Sequence, residues 1–256
     1  MTTPPASPPI TLVNTWSANG GSPNAPAVTV NPNRVGDLMV ICFGQNVASQ
    51  FATGVTGGGV AQWQRAAGVV TTTSVQGNEI WWGVVTQTGS QAVTMQHPMS
   101  NWWRLQVRQF TAGNAAWSRA AGSPVAETVA FSQGQAMTFP ALAAAGLYVG
   151  SGLVFWNNAP TGWTGAPPWN WATFNNVLVS LWRLDYPAGT APPTATMIDS
   201  AQRWSTCGAV FAAVATAPAE PVTRAWNGTA WVTGQRRGWT GSQWRTARVW
   251  DGSQWR

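Results

Sequence analysis

The sequence predicts an all-β protein: an antiparallel β-sandwich of the jelly-roll or lectin-like kind, followed by a short array of Trp-rich β-hairpins. Short runs of Val, Thr, Phe and Trp alternate with clusters of Gly, Pro, Asn and Ser, and a helical period is almost absent. Apolar residues make up 45% of the 256 residues, which is enough to build a large core. Residues 224–255 repeat the pattern R-x-W-x-G-x-x-W, which is typical of hairpins.

These patterns divide the chain into four parts. Residues 1–9 form a Pro-rich N-terminal arm, and residues 10–214 form the β-sandwich. Residues 215–222 are a linker rich in Pro and Ala, a composition that favours a semi-rigid spacer. Residues 223–256 contain the three hairpin repeats.

The candidate strands fit two packed antiparallel sheets. They cover residues 10–16, 26–31, 37–47, 61–73, 77–88, 91–96, 102–111, 125–131, 135–139, 147–156, 174–186, 194–198 and 206–214. Residues 38–43 are apolar throughout, which predicts a central strand covered on both faces. Residues 102–110 alternate between apolar and polar side chains, so we expect a half-buried strand with Arg104, Gln106 and Arg108 on its polar side.

Two pairs of adjacent tryptophans lie in these strands. They are Trp81-Trp82 and Trp102-Trp103. Because successive side chains of a strand point to opposite faces, we expect one member of each pair in the core and the other outside.

The turns of the three hairpins can be placed from their residue types. Asn227-Gly228 and Asp251-Gly252 are favoured two-residue turns, because both central residues need a positive φ. Thr240-Gly241 is a poorer example of the same turn. We therefore predict a two-residue loop at the tip of each repeat.

This turn position places the Arg and both Trp of each repeat on one face of the ribbon. In the first repeat it sets Trp226 opposite Thr229 and Arg224 opposite Trp231. The predicted packing or interface residues are Arg224, Trp226, Trp231, Arg237, Trp239, Trp244, Arg248, Trp250 and Trp255. We expect these indoles to be buried together or against another chain. The alternative is an exposed surface that binds sugar.

The charge of the chain is concentrated in the hairpins. The chain has no Lys, and residues 221–256 carry six Arg against one Asp. Residues 1–220 carry seven Arg against six acidic residues. Three arginines of the hairpins stand at fixed positions beside Trp, where cation–π packing explains them. Nucleic acid is therefore not favoured as a partner.

The cysteines and the apolar segments limit the cellular setting. Cys42 and Cys207 lie in apolar runs and are expected to be buried thiols, although the sequence leaves their pairing open. The N-terminus lacks the basic and apolar regions of a signal peptide. The most apolar window, residues 141–156, is too short and too rich in Gly to span a bilayer, so we expect no membrane insertion.

Residues that carry catalysis or bind metals are few and scattered. The acidic residues are far apart in the sequence, so no carboxylate pair for glycoside hydrolysis is indicated. His97 is the single histidine and is expected in a loop, where a His-based metal site would lack partners. Gly57-Gly58-Gly59 indicates a tight loop between strands. We therefore predict no enzymatic activity, no catalytic residues, no cofactor and no metal.

The predicted loop 157–171 contains three tryptophans among Pro, Gly and Asn. Trp163, Trp169 and Trp171 are candidate ligand or partner contacts, because loops of this length in compact domains are usually functional. The alternative is that these indoles cover the end of the sandwich or enter a subunit interface. If the loop contacts a partner outside its own subunit, replacement of all three by Ala should leave the body folded.

The motifs together resemble a known family. In order they are Val35-Gly-Asp-Leu-Met-Val40, Val55-Thr-Gly-Gly-Gly-Val60 with Trp63, Glu79-Ile-Trp-Trp-Gly83, Ala92-Val-Thr94 and Gly162-Trp163. This series resembles the β-sandwich proteins, often called minor tail proteins, encoded among the virion structural genes of tailed phages of actinobacteria. The C-terminal W-x-G-x-x-W units are similar to repeats common in the same proteins. The resemblance covers most of residues 28–256 and implies no catalytic residues.

The resemblance implies a non-enzymatic virion structural protein, assembled in the host cytoplasm and located near the tail tip or on the capsid surface, and we expect a minor tail protein. Its expected partners are other virion proteins, further copies of the chain with a trimer favoured, and host-envelope glycan. One alternative is a capsid decoration or head-fibre protein of the same fold. The other is a secreted carbohydrate-binding module or glycoside hydrolase.

Overall fold

The computed structural model describes residues 9–21, 25–46, 50–70, 76–97, 102–123, 125–130, 136–142, 146–154, 162–164, 169–174, 178–186, 194–198, 204–215, 224–226, 231–233, 237–239 and 244–246. Over these residues the only regular elements are β-strands, and every pairing between them is antiparallel. The predicted all-β antiparallel sandwich is confirmed. The chain divides into two compact units, residues 1–215 and 216–256.

The first eight strands form a jelly roll, here called the first jelly roll. Its strands are β1 Thr11–Gly20, β2 Ala27–Val30, β3 Leu38–Asn46, β4 Gly54–Gly57, β5 Gln64–Val70, β6 Gln76–Val84, β7 Gln91–Gln96 and β8 Trp103–Thr111. A five-stranded inner sheet has the order β1-β8-β3-β6-β5, and a three-stranded outer sheet has the order β2-β7-β4. This is the jelly-roll arrangement with its fifth strand joined to the inner sheet.

The second jelly roll follows after one connecting strand, β9 Ala115–Arg119. Its strands are β10 Val125–Ala130, β11 Ala136–Thr138, β12 Gly146–Val154, β13 Gly162–Thr164, β14 Asn170–Phe174, β15 Leu178–Tyr186, β16 Thr194–Ile198 and β17 Trp204–Ala215. Its inner sheet has the order β10-β17-β12-β15-β14, and its outer sheet has the order β11-β16-β13. β9 extends the inner sheet by pairing with the last residues of β17.

The two jelly rolls are an internal duplication. Adding nine to each strand number of the first jelly roll gives the strand order of the second in both sheets. The registers agree as well. The paired residues Leu38 and Phe110 correspond to Leu147 and Phe211, Val40 and Trp82 to Val149 and Trp182, and Val55 and Met95 to Trp163 and Met197. This repeat was not among the features predicted from the sequence.

The body has four layers rather than the predicted two sheets. The inner sheets pack face to face around the largest core, which includes Val40, Trp82 and Phe211. Each outer sheet covers the far side of its own inner sheet and encloses a smaller core. The length of the sequence allowed a single large sandwich, but each half buries enough apolar surface to form a sandwich of its own.

The four layers explain where the predictions for single strands hold and where they fail. The prediction that residues 38–43 form a strand covered on both faces is confirmed. Trp81 and Trp82 are both buried, one in each core, so the expected outward Trp is wrong for this pair. The expectation of a half-buried strand at 102–110 is also wrong, because its polar side, including Gln106 and Arg108, faces the second jelly roll.

Equivalent residues of the two jelly rolls meet at the centre of the body. Cys42 hydrogen-bonds Ser151, which occupies the position of Cys42 in the second jelly roll. A Cβ built on Gly44 would lie 2.6 Å from Leu153 Cδ1, and these two positions are also equivalent. The jelly rolls are therefore related by an approximate twofold axis that runs along the strands.

Asn78 joins the inner sheets by hydrogen bonds in the middle of the core. Its Nδ2 donates to the carbonyl oxygens of Ser151 at 2.8 Å and Ser205 at 2.9 Å, and its Oδ1 accepts from Ser151 Oγ at 2.8 Å. The Cys207 thiol donates to the Asn78 carbonyl at 3.6 Å. Cys42 and Cys207 are both buried thiols, as predicted.

A buried arginine forms the second polar contact between the inner sheets. Arg108 donates to Gln106 Oε1 at 2.8 Å and to Ser180 Oγ at 2.6 Å, and its guanidinium lies 4.1 Å from the ring centroid of Trp182. Burial lowers the pKa of Arg108 to about 10, so the side chain is charged at neutral pH. Among the described side chains no carboxylate pairs with it, and neutral oxygens and an indole face hold this charge.

The connections of both jelly rolls have a common polarity. In the first jelly roll the connections β1–β2, β3–β4, β5–β6 and β7–β8 leave from one end, here called the loop end. The equivalent connections of the second jelly roll leave from the same side, since Gly44 and Asn78 contact Leu153 and Ser205 near the ends of their strands.

The opposite end, here called the base, is where the chain enters and leaves the body. The first residue of β1, Thr11, pairs with Thr111, and the last residue of β17, Ala215, pairs with Ala115. Thr111 and Ala115 belong to one tight connection, in which Ala112 bridges Asn114. The points of entry and exit are therefore neighbours.

The second unit contains two described hairpins, β18 Arg224–Trp226 with β19 Trp231–Thr233, and β20 Arg237–Trp239 with β21 Trp244–Thr246. Their register differs from the prediction. Trp226 pairs with Trp231, and Arg224 pairs with Thr233. The pairing is therefore shifted from the predicted one, in which Trp226 was opposite Thr229 and Arg224 opposite Trp231.

Candidate functional site

A polar cluster lies at the loop end of the first jelly roll, between the inner and outer sheets. Its centre is Glu79 on β6, whose carboxylate is fully buried. Oε1 accepts from the Ala52 N–H at 2.9 Å, and Oε2 accepts from Trp81 Nε1 at 3.0 Å. Glu79 thus fixes the chain at Ala52, just before β4, and orients the indole of Trp81.

Arg65 on β5 forms the outer side of this cluster. Its guanidinium lies 4.0 Å from the ring centroid of Phe51 and 5.8 Å from that of Trp81. Its Nη1 is 3.9 Å from Glu79 Oε2, at the limit of an ion pair, and 39% of the side chain is exposed. The aromatic rings hold the guanidinium in place while much of it faces solvent.

His97 and Gln45 complete the cluster on the side away from Arg65. His97 Nε2 lies 2.6 Å from Gln45 Nε2 and 3.1 Å from the Gln50 carbonyl oxygen. The His97 ring also contacts Phe43, with ring centroids 6.0 Å apart. His97 directly follows β7, in the connection where the sequence placed it, but it contacts β3 and is half-buried.

Burial raises the pKa of Glu79 above its ordinary value, and the hydrogen bonds from Ala52 and Trp81 and the charges of Arg65 and His97 offset this only in part. The folded state therefore binds the Glu79 proton more tightly than the unfolded state. The stability from this group is fully present below the unfolded pKa of about 4.3 and is lost as pH rises through the folded pKa.

We expect the Glu79→Gln variant to lose this pH dependence. The stability of wild type minus that of the variant, measured by urea unfolding across about pH 4–8, should fall as pH rises. The size of the stability difference at a single pH does not test the pKa of Glu79, because the NH2 group of Gln would face the Trp81 N–H and that hydrogen bond would be lost in the variant at every pH. A difference that stays flat or increases with pH would contradict the burial account of Glu79.

The second jelly roll has different residues at the equivalent positions. Trp171 stands where the first has Arg65, and Leu181 stands where it has Trp81. Val179 replaces Glu79, and Val154 replaces Gln45. The fold therefore accepts uncharged, apolar residues at these sites, and the polar cluster is not a requirement of the jelly roll.

The three predicted contact tryptophans do not form one surface. Trp169 is buried and packs on Phe139, with ring centroids 5.1 Å apart, so it belongs to a core and its proposed role in a partner contact is wrong. Trp171 is 42% exposed at the edge strand β14. Trp163 pairs with Met197, and its side chain lies outside the described residues.

The predicted loop 157–171 is therefore not continuous, because β13 lies inside it and β14 begins before its end. The alternation of short apolar and turn residues hid these two short strands. The expectation that the triple Ala variant leaves the body folded is weakened for the same reason, since Trp169 contributes to the core. Trp171 stays a candidate for an external contact.

The pair Trp102-Trp103 follows the predicted arrangement. Trp102 is 62% exposed and lies over Gly21, while Trp103 is half-buried against the core of the first jelly roll. Of the predicted hairpin residues, Arg224, Trp226, Trp231, Arg237, Trp239 and Trp244 lie on described strands, but only their backbone pairing is described. Arg248, Trp250 and Trp255 lie outside the described residues.

The second buried carboxylate lies away from the cluster. Asp37 Oδ2 accepts from Gln109 Nε2 at 2.7 Å, just before β3 begins. Glu79 pairs with Phe43, and the six residue-to-residue steps from Asp37 to Phe43 span on the order of 20 Å of extended chain. Over the residues with described side chains, no group of three His, Cys, Asp or Glu could hold a metal ion.

The tight glycine loop predicted at residues 57–59 is confirmed. All three glycines have a positive φ, between +70° and +78°. The Gly57 carbonyl oxygen accepts a hydrogen bond from the Trp63 indole N–H at 3.0 Å, and the Gly58 N–H donates to the Ala92 carbonyl oxygen at 2.9 Å. These contacts tie β4 to β7, and the loop belongs to the fold.

No protein-family model, no curated protein and no solved structure matches this chain. Within the ranges that the structure describes, no helix is long and apolar enough to cross a membrane.

Sequence reasoning did not identify Glu79, Arg65 and Gln45 as a group. They lie on three different strands and have no spacing that connects them. The sequence nevertheless contained a signal for this group. When the two halves of the body are aligned, each of the three polar residues stands opposite an apolar residue of the other half. That alignment becomes visible once the sequence is compared with itself.

Proposed function

We propose that this chain is a non-enzymatic structural protein of a phage virion, a minor tail protein that contributes to tail-tip assembly or to recognition of host-envelope glycan. It would be located in the virion after assembly in the bacterial host. Its partners would be other virion proteins and further copies of itself, with a trimer favoured.

One observation carries this proposal: two jelly rolls present their loop ends on the same side, opposite a base where the chain enters and leaves. Such a body suits display, with attachment at the base and contact at the loops. The described buried carboxylates also support a role without catalysis. Glu79 and Asp37 are each hydrogen-bonded to groups of the fold and lie far beyond the separation of a glycosidase pair.

Exposed indoles favour glycan as the contact on the host. Trp102 presents its indole beside Arg104, whose guanidinium carbon is 6.0 Å from the ring centroid. Trp171 is a second exposed indole in the other jelly roll. Flat aromatic faces bordered by polar groups suit the C–H faces of sugar rings.

The location in the virion decides the proposal. Antibodies against the purified chain, used in immuno-electron microscopy of intact virions, should label the tail tip. Label on the capsid would favour the alternative of a decoration or head-fibre protein. Particles without label on either part would exclude a virion role and leave the secreted carbohydrate-binding module or glycoside hydrolase as the surviving alternative.

A further inference from the structure

We infer that the polar cluster of the first jelly roll binds an anionic saccharide, with Arg65 contacting the carboxylate or phosphate and His97 and Gln50 contacting hydroxyl groups. This inference rests on the proposed function, because it names the chemistry of the glycan and the place where it binds. At the described positions equivalent to Arg65, Trp81 and Glu79, the second jelly roll has Trp171, Leu181 and Val179 instead.

Arg65 is available for an anion because its own partners satisfy only part of it. The nearest carboxylate oxygen, Glu79 Oε2, is 3.9 Å away and already accepts the Trp81 N–H. Phe51 and Trp81 restrict the guanidinium, so little rotamer freedom is lost when it binds. A planar guanidinium with exposed N–H groups is suited to bidentate contact with a carboxylate or phosphate.

The remaining groups favour a hydroxylated ligand over a bare anion. The carbonyl oxygen of Gln50 is shared with His97 and Gln45, and Gln50 itself is exposed. His97 is half-buried beside this carbonyl, and Phe51 presents a half-buried ring next to Arg65. Phe51 beside Arg65 and Gln50 beside His97 are consecutive residues, so an aromatic ring, acceptors and donors follow one another from Arg65 to His97. A sugar with an anionic group and several hydroxyls requires such a succession of groups.

The duplication supplies an internal comparison for this inference. If the jelly-roll fold itself required this cluster, both halves of the body would be expected to have similar residues at these positions. The second jelly roll uses Trp171, Leu181 and Val179 at the positions of Arg65, Trp81 and Glu79. The jelly-roll fold therefore does not require these polar residues, which is consistent with a role in binding.

Calorimetric titration of the full chain tests this site. The probes are trigalacturonic acid with maltotriose as its neutral match, glucose 6-phosphate with glucose as its neutral match, and inorganic phosphate alone. We expect the anionic sugars to bind and their neutral matches to bind at least tenfold more weakly, and we expect added salt to weaken binding. Preference between the two anionic sugars identifies the carboxylate or the phosphate as the natural group.

Two variants and one control locate the binding. Arg65→Trp installs the residue of the second jelly roll, and Arg65→Gln removes only the charge. Each should keep the thermal midpoint and weaken binding of the anionic sugars roughly tenfold to hundredfold. Arg34→Gln is the matched control, because Arg34 is an exposed arginine at the base, where it donates to Thr111 and Asn114.

Three results would each overturn the inference. They are equal binding of anionic and neutral sugars, equal losses in the Arg34 and Arg65 variants, and no binding of any probe. Inorganic phosphate binding as tightly as glucose 6-phosphate would overturn the saccharide part. Failure of the proposed function is a separate outcome, since it depends on where antibodies label the virion and not on whether these probes bind.

Discussion

Replacement of Gly57 by Ala is expected to destabilise the body by about 3–5 kcal/mol, as measured by urea unfolding. Gly57 has a φ of +78°, and a Cβ there would lie 1.9 Å from the carbonyl oxygen of Ala92. The obstacle is backbone of β7, which cannot move aside without breaking the bond from the Gly58 N–H. The loss therefore combines backbone strain with displacement of a strand.

Two further glycines separate the causes of this loss. Gly89 has a φ of +101° but open space around a built Cβ, so Gly89→Ala should cost only the strain of about 1–2 kcal/mol. Gly54 lies on β4 in open space and has no positive φ, so Gly54→Ala should change stability by less than about 0.5 kcal/mol. If all three variants lost similar stability, the clash with Ala92 would not be the cause.

Replacement of Asn78 by Leu is expected to lower the free energy of unfolding by about 3 kcal/mol. The substitution keeps the volume and copies Leu178, which stands at the equivalent position of the second jelly roll. It removes three hydrogen bonds between the inner sheets and leaves the buried Ser151 hydroxyl without its acceptor. The measurement is the shift in the midpoint of urea unfolding, and the slope of the unfolding free energy against urea concentration should not change.

Asn19→Leu is the matched control, since Asn19 is exposed on β1, and it should be nearly neutral. Combining Asn78→Leu with Ser151→Ala should recover part of the stability, because the second change removes the unsatisfied hydroxyl. A single Asn78→Leu variant as stable as wild type would mean that the hydrogen bonds between the jelly rolls contribute nothing net.

The sequence predicted those features that depend on neighbouring residues. The apolar run of residues 38–43 specified a strand covered on both faces, and the three consecutive glycines specified a tight loop. The all-β class followed from the same local patterns. Two of the three predicted hairpins lie within the described residues and are present, but their register was not predicted, because an Asn-Gly or Thr-Gly pair signals a turn without fixing which residues pair beside it.

Features that depend on distant parts of the chain were missed. The alternation of β8 predicted that its polar side faces solvent. That side instead faces the second jelly roll, where Arg108 donates to Ser180 and packs on the ring of Trp182. No local pattern distinguishes a side chain in water from one opposite a second sheet. Trp169 was misplaced for a similar reason, since an indole among Pro and Asn suits both a loop and a core.

The duplication itself was readable from the sequence. Ala27-Val-Thr-Val30 matches Ala136-Met-Thr-Phe139, and Gly54-Val-Thr-Gly57 matches Gly162-Trp-Thr-Gly165. Each match is only four residues long, and their order along the chain supplies the signal. Because the two halves have diverged at most other positions, the repeat is not evident from any single segment of the chain.

Because Thr11 and Ala215 are neighbours, the body is suited to insertion into another protein. A domain whose two ends adjoin can be inserted into a surface loop of another protein, because its ends are about as close together as the two ends of that loop. The host protein then needs no rearrangement to accept it. The same geometry leaves the loop end of both jelly rolls unobstructed when a label or a carrier is fused at the base.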